Sequence, residues 1–269
     1  ESLQKVPTDE KGKIKISCLV STFKKIKSEG KKCFAVVATA GTTVRGAIDP
    51  LSEIAQFCQK ENIWLHVDGA IGGIYCLSTI TSDLLEGLGS ADSITVNPQK
   101  LLGIAKTSSL LLVANKSHLS STFSTGLPYA EPISGNDLHG GELGIQGTRS
   151  AESLKLWIGL RQLGEDGIEK IILDSIKRRC YLESIIDASK FKVISGPLHL
   201  LAFTPINYNS SEATEWSIKT RNSLLSCKFM LSRPIYRDRY YLKAVMGNPN
   251  TKFEDLDELA NLINNSIID

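Results

Sequence analysis

The chain has 269 residues, 42% hydrophobic and 22% charged, enough for one large or two modest globular domains. Its 31 basic and 29 acidic residues leave a formal charge of +2, which gives no electrostatic case for nucleic-acid or membrane partners. Six cysteines (Cys18, Cys33, Cys58, Cys76, Cys180, Cys227) stand in no Cys-x-x-Cys spacing, which argues against a zinc cluster and fits reduced thiols in a cytoplasmic protein.

No apolar stretch approaches the roughly 18 residues a membrane span needs. The start, Glu1-Ser2-Leu3-Gln4-Lys5, has neither a signal peptide's apolar core nor an initiator Met, and is expected to lie partway through something longer. Residues 17–29 then read as a helix stopped by Gly30. Its basic run, Lys24-Lys25-Ile26-Lys27 continuing to Lys31-Lys32, reads as a solvated helix face and the exit from it. Residues 34–39 form a continuous apolar run, as expected of a strand buried on both faces. A helix over 52–61 and strands over 63–67, 93–96 and 108–114 follow. This alternation implies βα units and a mostly parallel sheet.

Between residues 122 and 147 the pattern dissolves into Gly, Pro, Ser and Asn, a long loop of the kind that is usually functional. A helical stretch spans 149–186, interrupted near Gly164 and Gly167. Strands over 191–194, 198–203 and 240–245, with helices over 212–225 and 253–267, then suggest a smaller α+β domain.

Three strand ends carry polar groups: Gly41-Thr42-Thr43, Asp68-Gly69-Ala70 and Asn97-Pro98-Gln99-Lys100. In a parallel sheet such ends share one edge, so the groups can converge without being near in sequence. A lysine able to form a Schiff base and an acid able to keep a pyridine nitrogen protonated are the two groups pyridoxal phosphate demands. Lys100 and Asp68, 32 residues apart, supply them. Each residue alone has a plainer reading. Lys100 could be a solvated surface lysine, His66 a satisfied core histidine, and His66 with Asp68 half a metal site. His118, His139 and His199 lack ligand spacing to that pair. The glycine-rich stretch 140–147 follows no strand and matches no nucleotide fingerprint.

Beyond these groups the chain resembles the group II pyridoxal-phosphate-dependent amino-acid decarboxylases, the glutamate, cysteine sulfinate and aromatic amino acid decarboxylase family. The resemblance is carried by Val37-Ala38-Thr39-Ala40-Gly41-Thr42-Thr43, Gly46-Ala47-Ile48-Asp49-Pro50, Trp64-Leu65-His66-Val67-Asp68, Ala91-Asp92-Ser93 and Asn97-Pro98-Gln99-Lys100. It continues through Arg149 before Leu154-Lys155-Leu156-Trp157, then Leu163-Gly164-Glu165-Asp166-Gly167 and Asn248-Pro249. What it implies is an α/β fold: part of a fold-type I large domain over residues 1–160 and a small C-terminal α+β domain over 161–269.

By that resemblance Lys100 is the Schiff-base lysine, Asp68 the partner of the pyridine nitrogen, Ala70 the small residue against the ring and Thr43 a cofactor-site threonine. Asn97 and Gln99 lie near the phosphate. The family usually has His where this chain has Gln99; an amide donates a hydrogen bond but carries no charge, so the change bears on cofactor affinity more than on chemistry. Tyr129 falls where the family has the loop tyrosine that returns a proton to the carbon losing CO2; a loop tyrosine without that role is the plainer reading.

The implied reaction is α-decarboxylation of an L-amino acid, with Asn97 to Leu102 and Leu110-Leu111-Leu112 closer to the acidic branch than to the aromatic one. The alternatives are another pyridoxal-dependent lyase, an aldehyde-forming enzyme on the same fold, and an inactive structural or regulatory subunit. The resemblance also implies a homodimer-like assembly and a second polypeptide that supplies the N-terminal half of the large domain.

Overall fold

The first apolar stripe of this computed structural model, which describes residues 2–105, 109–124, 140–147 and 150–267, folds as α1 (Ile16–Ser28). Gly30, at φ +70°, ends it as expected: its N–H and that of Lys31 turn back onto the carbonyls of Lys27 and Ile26. β1 (Ala35–Thr39), α2 (Leu51–Glu61), β2 (Trp64–Gly69) and β3 (Ser93–Val96) follow, then β4 (Leu110–Val113). The sheet order is β1-β2-β3-β4, with β1, β2 and β3 parallel and β4 antiparallel. α2 turns Leu51, Ile54, Ala55 and Cys58, one helical stripe, into the core beneath this sheet.

The sheet departs from expectation on its other side. The strands do not read as buried on both faces: Val36 and Ala38 are buried, whereas Val37 between them is 57% exposed. β2 alternates likewise, with Leu65, Val67 and Gly69 inward and Trp64, His66 and Asp68 outward. One face therefore packs on α2 and its neighbours; the other is largely open among the described residues, with the His118 ring against its Trp64. β2 also runs farther than expected, so Asp68 is a strand residue paired in register with Thr39 and Thr95.

Past β4, Asn115 accepts the N–H and the hydroxyl of Ser117 and starts α3 (Ser117–Phe123), a helix the sequence reading did not contain. Thr122 belongs to it, and Gly140–Leu143 form a single 3-10 turn, so the expected loop is shorter at both ends. Tyr129 and Arg149 lie outside the described residues.

α4 (Glu152–Ile185) is broken where expected at Gly164 (φ 63°, ψ 179°); at Gly167 the helix runs on. Its Ile168 and Ile172 join the core of the first sheet, and its Leu182 joins a second core. That second core lies against β5 (Phe191–Ser195), β6 (Leu200–Pro205), α5 (Ser210–Ser226) and later elements. α5 begins with a reciprocal cap between Asn209 and Glu212. A small hairpin, β7 (Ile235–Tyr236) and β8 (Arg239–Tyr240), precedes β9 (Leu242–Val245) and α6 (Phe253–Asn264). The antiparallel order is β5-β6-β9. The strand expected over 240–245 is thus cut at Tyr241, with its halves in different sheets.

Candidate active site

Three loops leave the same rim of the parallel sheet, and each is fixed by its own local chemistry. After β1, the carboxylate of Asp49 is buried and accepts the N–H groups of Thr39 and Ile14, both at 2.7 Å. Burial pushes its pKa up, and the two backbone donors oppose that rise. Thr42 Oγ1 accepts the N–H of Ala47 at 2.9 Å, closing the turn that carries Thr43. Gly41 sits there at φ +103°, and a Cβ on it would lie 2.9 Å from the backbone nitrogen of Gly72.

Asp68 is exposed near the end of β2. Its Oδ1 accepts the N–H of Ala70 at 3.0 Å, which pins the carboxylate and leaves Oδ2 outward. After β3, Asn97 Oδ1 accepts the Ser109 hydroxyl at 2.6 Å, tying the third loop to the start of β4. The turn Pro98–Lys100 closes through the Lys100 N–H on the Asn97 carbonyl, and Lys100 is exposed. Gln99 Oε1, an acceptor, is buried and has no hydrogen-bond partner among the described residues. The rim thus carries Thr43, Asp68, Ala70, Asn97, Gln99 and Lys100.

One residue of this rim was not found in the sequence. Lys243, on β9 of the second sheet, reaches across and donates to the Thr43 carbonyl at 3.2 Å. Its pKa is lowered, first by burial and then by the positive charge of Lys100. Two amines therefore face the same space from different sheets. A lysine in a C-terminal strand gives no sequence signal of that meeting.

His66 also differs from its plainest reading. It is half-buried on the open face, not in the core, and both ring nitrogens meet hydroxyls: Nδ1 lies 2.8 Å from Ser93 Oγ and Nε2 lies 3.3 Å from Thr95 Oγ1. Trp64 Nε1 donates to the same Ser93 oxygen at 2.9 Å.

These groups fit pyridoxal phosphate by their donor set. An exposed primary amine suits an aldehyde, a pinned carboxylate suits a ring nitrogen, and Lys243 suits an anionic group.

The family model described as the pyridoxal-dependent decarboxylase conserved domain matches residues 2–203. The aromatic-L-amino-acid decarboxylase of Bacillus atrophaeus is 30% identical over 261 residues, 94% of this chain and 54% of that protein. The cysteine sulfinic acid decarboxylase of Homo sapiens is 35% identical over 202 residues, 73% of this chain and 41% of that protein. The chain thus spans about half the length of the curated relatives it matches. A crystal structure of mouse CSAD superposes with a TM-score of 0.89 at 27% identity, over 97% of this chain and 57% of that one. Oryza sativa TDC with PLP and tryptamine gives 0.90 at 21% identity, over 98% and 56%, a likeness of fold alone.

Proposed function

This chain belongs to the pyridoxal-dependent decarboxylase family, and on that premise we propose that it carries the lysine-bearing half of an enzyme that releases CO2 from the α-carbon of an L-amino acid. The observation that carries the reading is the pairing of Lys100 and Asp68 at the ends of two adjacent parallel strands. When bound, pyridoxal phosphate draws the electron pair left by CO2 into its protonated ring.

The protein's part is to hold and orient. Lys100 offers the amine for the cofactor aldehyde. Asp68 keeps a proton on the ring nitrogen through the oxygen that Ala70 leaves free, and Ala70 itself is small enough to let the ring lie close. Thr43, Asn97 and Gln99 surround the remaining polar groups, with Gln99 on the phosphate side. Lys243 supplies a cation for a carboxylate of the substrate. Tyr129 is kept as the donor that returns a proton to the α-carbon. The acidic branch is the preferred substrate class, supported by the sequence around Asn97 to Leu102.

Borohydride reduction in the presence of pyridoxal phosphate, followed by peptide mass mapping, tests the reading. The cofactor is expected as a stable adduct on Lys100 and on no peptide of Lys100→Ala; an unlabelled Lys100 overturns it.

A second polypeptide supplying the N-terminal half of the large domain is part of the proposal. It is supported by a sheet with one face largely open among the described residues, since sheets of parallel strands are covered on both sides. A purified 269-residue chain with full activity and no companion would remove it. The division into units 1–160 and 161–269 is likewise proposed, supported by the two larger sheets having their own hydrophobic cores, although Ile168 and Ile172 of α4 pack with the first. A homodimer-like assembly and a cytoplasmic location complete the reading. Free thiols at all six cysteines support the latter, and no helix among the described residues is long and apolar enough to cross a membrane.

A further inference from the structure

On the open face of the first sheet, register sets three rows side by side. Ala35 stands beside Trp64; Val37, His66, Ser93 and Val113 form the next row; Thr39, Asp68, Thr95 and Leu111 form the third. His66 and Asp68 are the titratable groups of these rows, two residues apart on one strand and so on one face. What faces them from β1 (Ala35, Val37, Thr39), β3 (Ser93, Thr95) and β4 (Leu111, Val113) is uncharged. The ring of His118 on α3 lies over Trp64, with centroids 5.2 Å apart. From the loops of the rim come the ammonium groups of Lys100 and, from β9, Lys243.

The hydrogen bonds of this face form a relay whose direction follows the tautomer of His66. An indole N–H only donates, so Ser93 Oγ is the acceptor for Trp64 and has its own hydrogen to give to His66 Nδ1. A neutral imidazole that accepts at Nδ1 carries its hydrogen on Nε2, where Thr95 Oγ1 receives it. The Thr95 hydroxyl then has a hydrogen to donate, and the residue opposite it in register is Asp68.

We propose that His66 is a positioning residue for Asp68: neutral and protonated on Nε2, it turns the Thr95 hydroxyl toward the carboxylate oxygen that Ala70 leaves free. This rests on Asp68 being the partner of the cofactor's ring nitrogen, and it adds a proton-sensitive control to that contact. Protonating His66 makes Nδ1 a donor, which breaks the Ser93 contact in its present direction. It also sets a second cation beside the one carboxylate that must hold the ring nitrogen. The grip on cofactor therefore loosens on acidification.

The test is the pyridoxal phosphate dissociation constant of the complete assembly, read by fluorescence from mildly acidic to mildly basic pH. Wild type is expected to weaken toward acid. His66→Gln keeps an amide hydrogen for Thr95 but cannot be charged, and is expected to lose that acid limb. Thr95→Val, nearly isosteric, is expected to weaken binding about tenfold at every pH, the factor for one lost hydrogen bond to a charged group. Nitrogen NMR of the histidine-labelled chain reads the tautomer independently of cofactor: Nε2–H on His66, lost in Ser93→Ala.

An unchanged acid limb in His66→Gln, or an Nδ1–H tautomer in wild type, overturns the proposal. Should His66→Gln fail to fold by circular dichroism, the Thr95→Val and tautomer results decide alone. Failure of wild type to form a borohydride-stable adduct on Lys100 would remove the function reading instead, a separate outcome.

Discussion

Asp68 and Asp49 are both carboxylates near the rim, yet their surroundings assign them different work. Asp68 is exposed and half-pinned, so Asp68→Asn should leave thermal stability nearly unchanged. It should weaken pyridoxal phosphate by roughly tenfold to a hundredfold, the range for a charge-assisted hydrogen bond, in a fluorescence titration of the assembly. Asp49, itself buried, spends both oxygens on half-buried backbone donors. Asp49→Asn turns an amide NH2 toward one of them, so urea unfolding should report a loss of roughly 1–3 kcal/mol. The residue types of the rim were legible because each follows an apolar run that could be recognised as a strand. His66 and Asp68, spaced by two, had to share a face of any strand they occupied. Lys243 was not legible, because its partner is a carbonyl in a loop of another sheet.

Among the elements, α4 carries the clearest backbone exception. Gly164 lies at φ 63° and ψ 179°, a region that only glycine occupies readily, and a Cβ there would meet no neighbouring atom within 4 Å. Gly164→Ala should therefore cost roughly 1–3 kcal/mol in urea unfolding through backbone strain alone, with the packing unchanged. The break was legible because glycine interrupts the apolar stripe. The β7–β8 hairpin was not legible. Its turn uses Arg237 and Asp238, both at positive φ, where Asn-Gly or Asp-Gly would have announced it. Arg237 is held instead by Glu10 and the Asp9 carbonyl, contacts invisible along the chain.

A second joint lies deeper, where Tyr75 Oη meets His199 Nδ1 at 2.7 Å and both side chains are buried. Burial first, and then the charges of Lys243 and Arg178, hold the His199 imidazole down to about 4, against 6.5 for a free histidine. Its folded pKa lies below its unfolded one, so the unfolded chain takes up the proton first as pH falls. The stabilisation is present above about 6.5 and drains away toward 4, by roughly 3 kcal/mol in all. Denaturant titrations across that window should show the slope, and replacing the pair together as Tyr75→Phe with His199→Leu should flatten it.

In the molecule as a whole, the first sheet leaves one face largely open among the described residues. Leu111 and Leu112 point to opposite faces of β4 and both are exposed, on a strand whose outer edge pairs with no described residue. The isolated chain should self-associate in sedimentation velocity, and Leu111→Lys with Leu112→Lys should suppress this. The α/β character and the parallel order were legible from alternation. The open face was not, because apolar runs buried on one face or on both read alike along the chain. Reactive and packing side chains alternate strictly along β2, so a pairing error of one position would bury Asp68 and expose Val67. A slip of that kind would turn the strand inside out, so alignment here decides whether the polar rim exists at all.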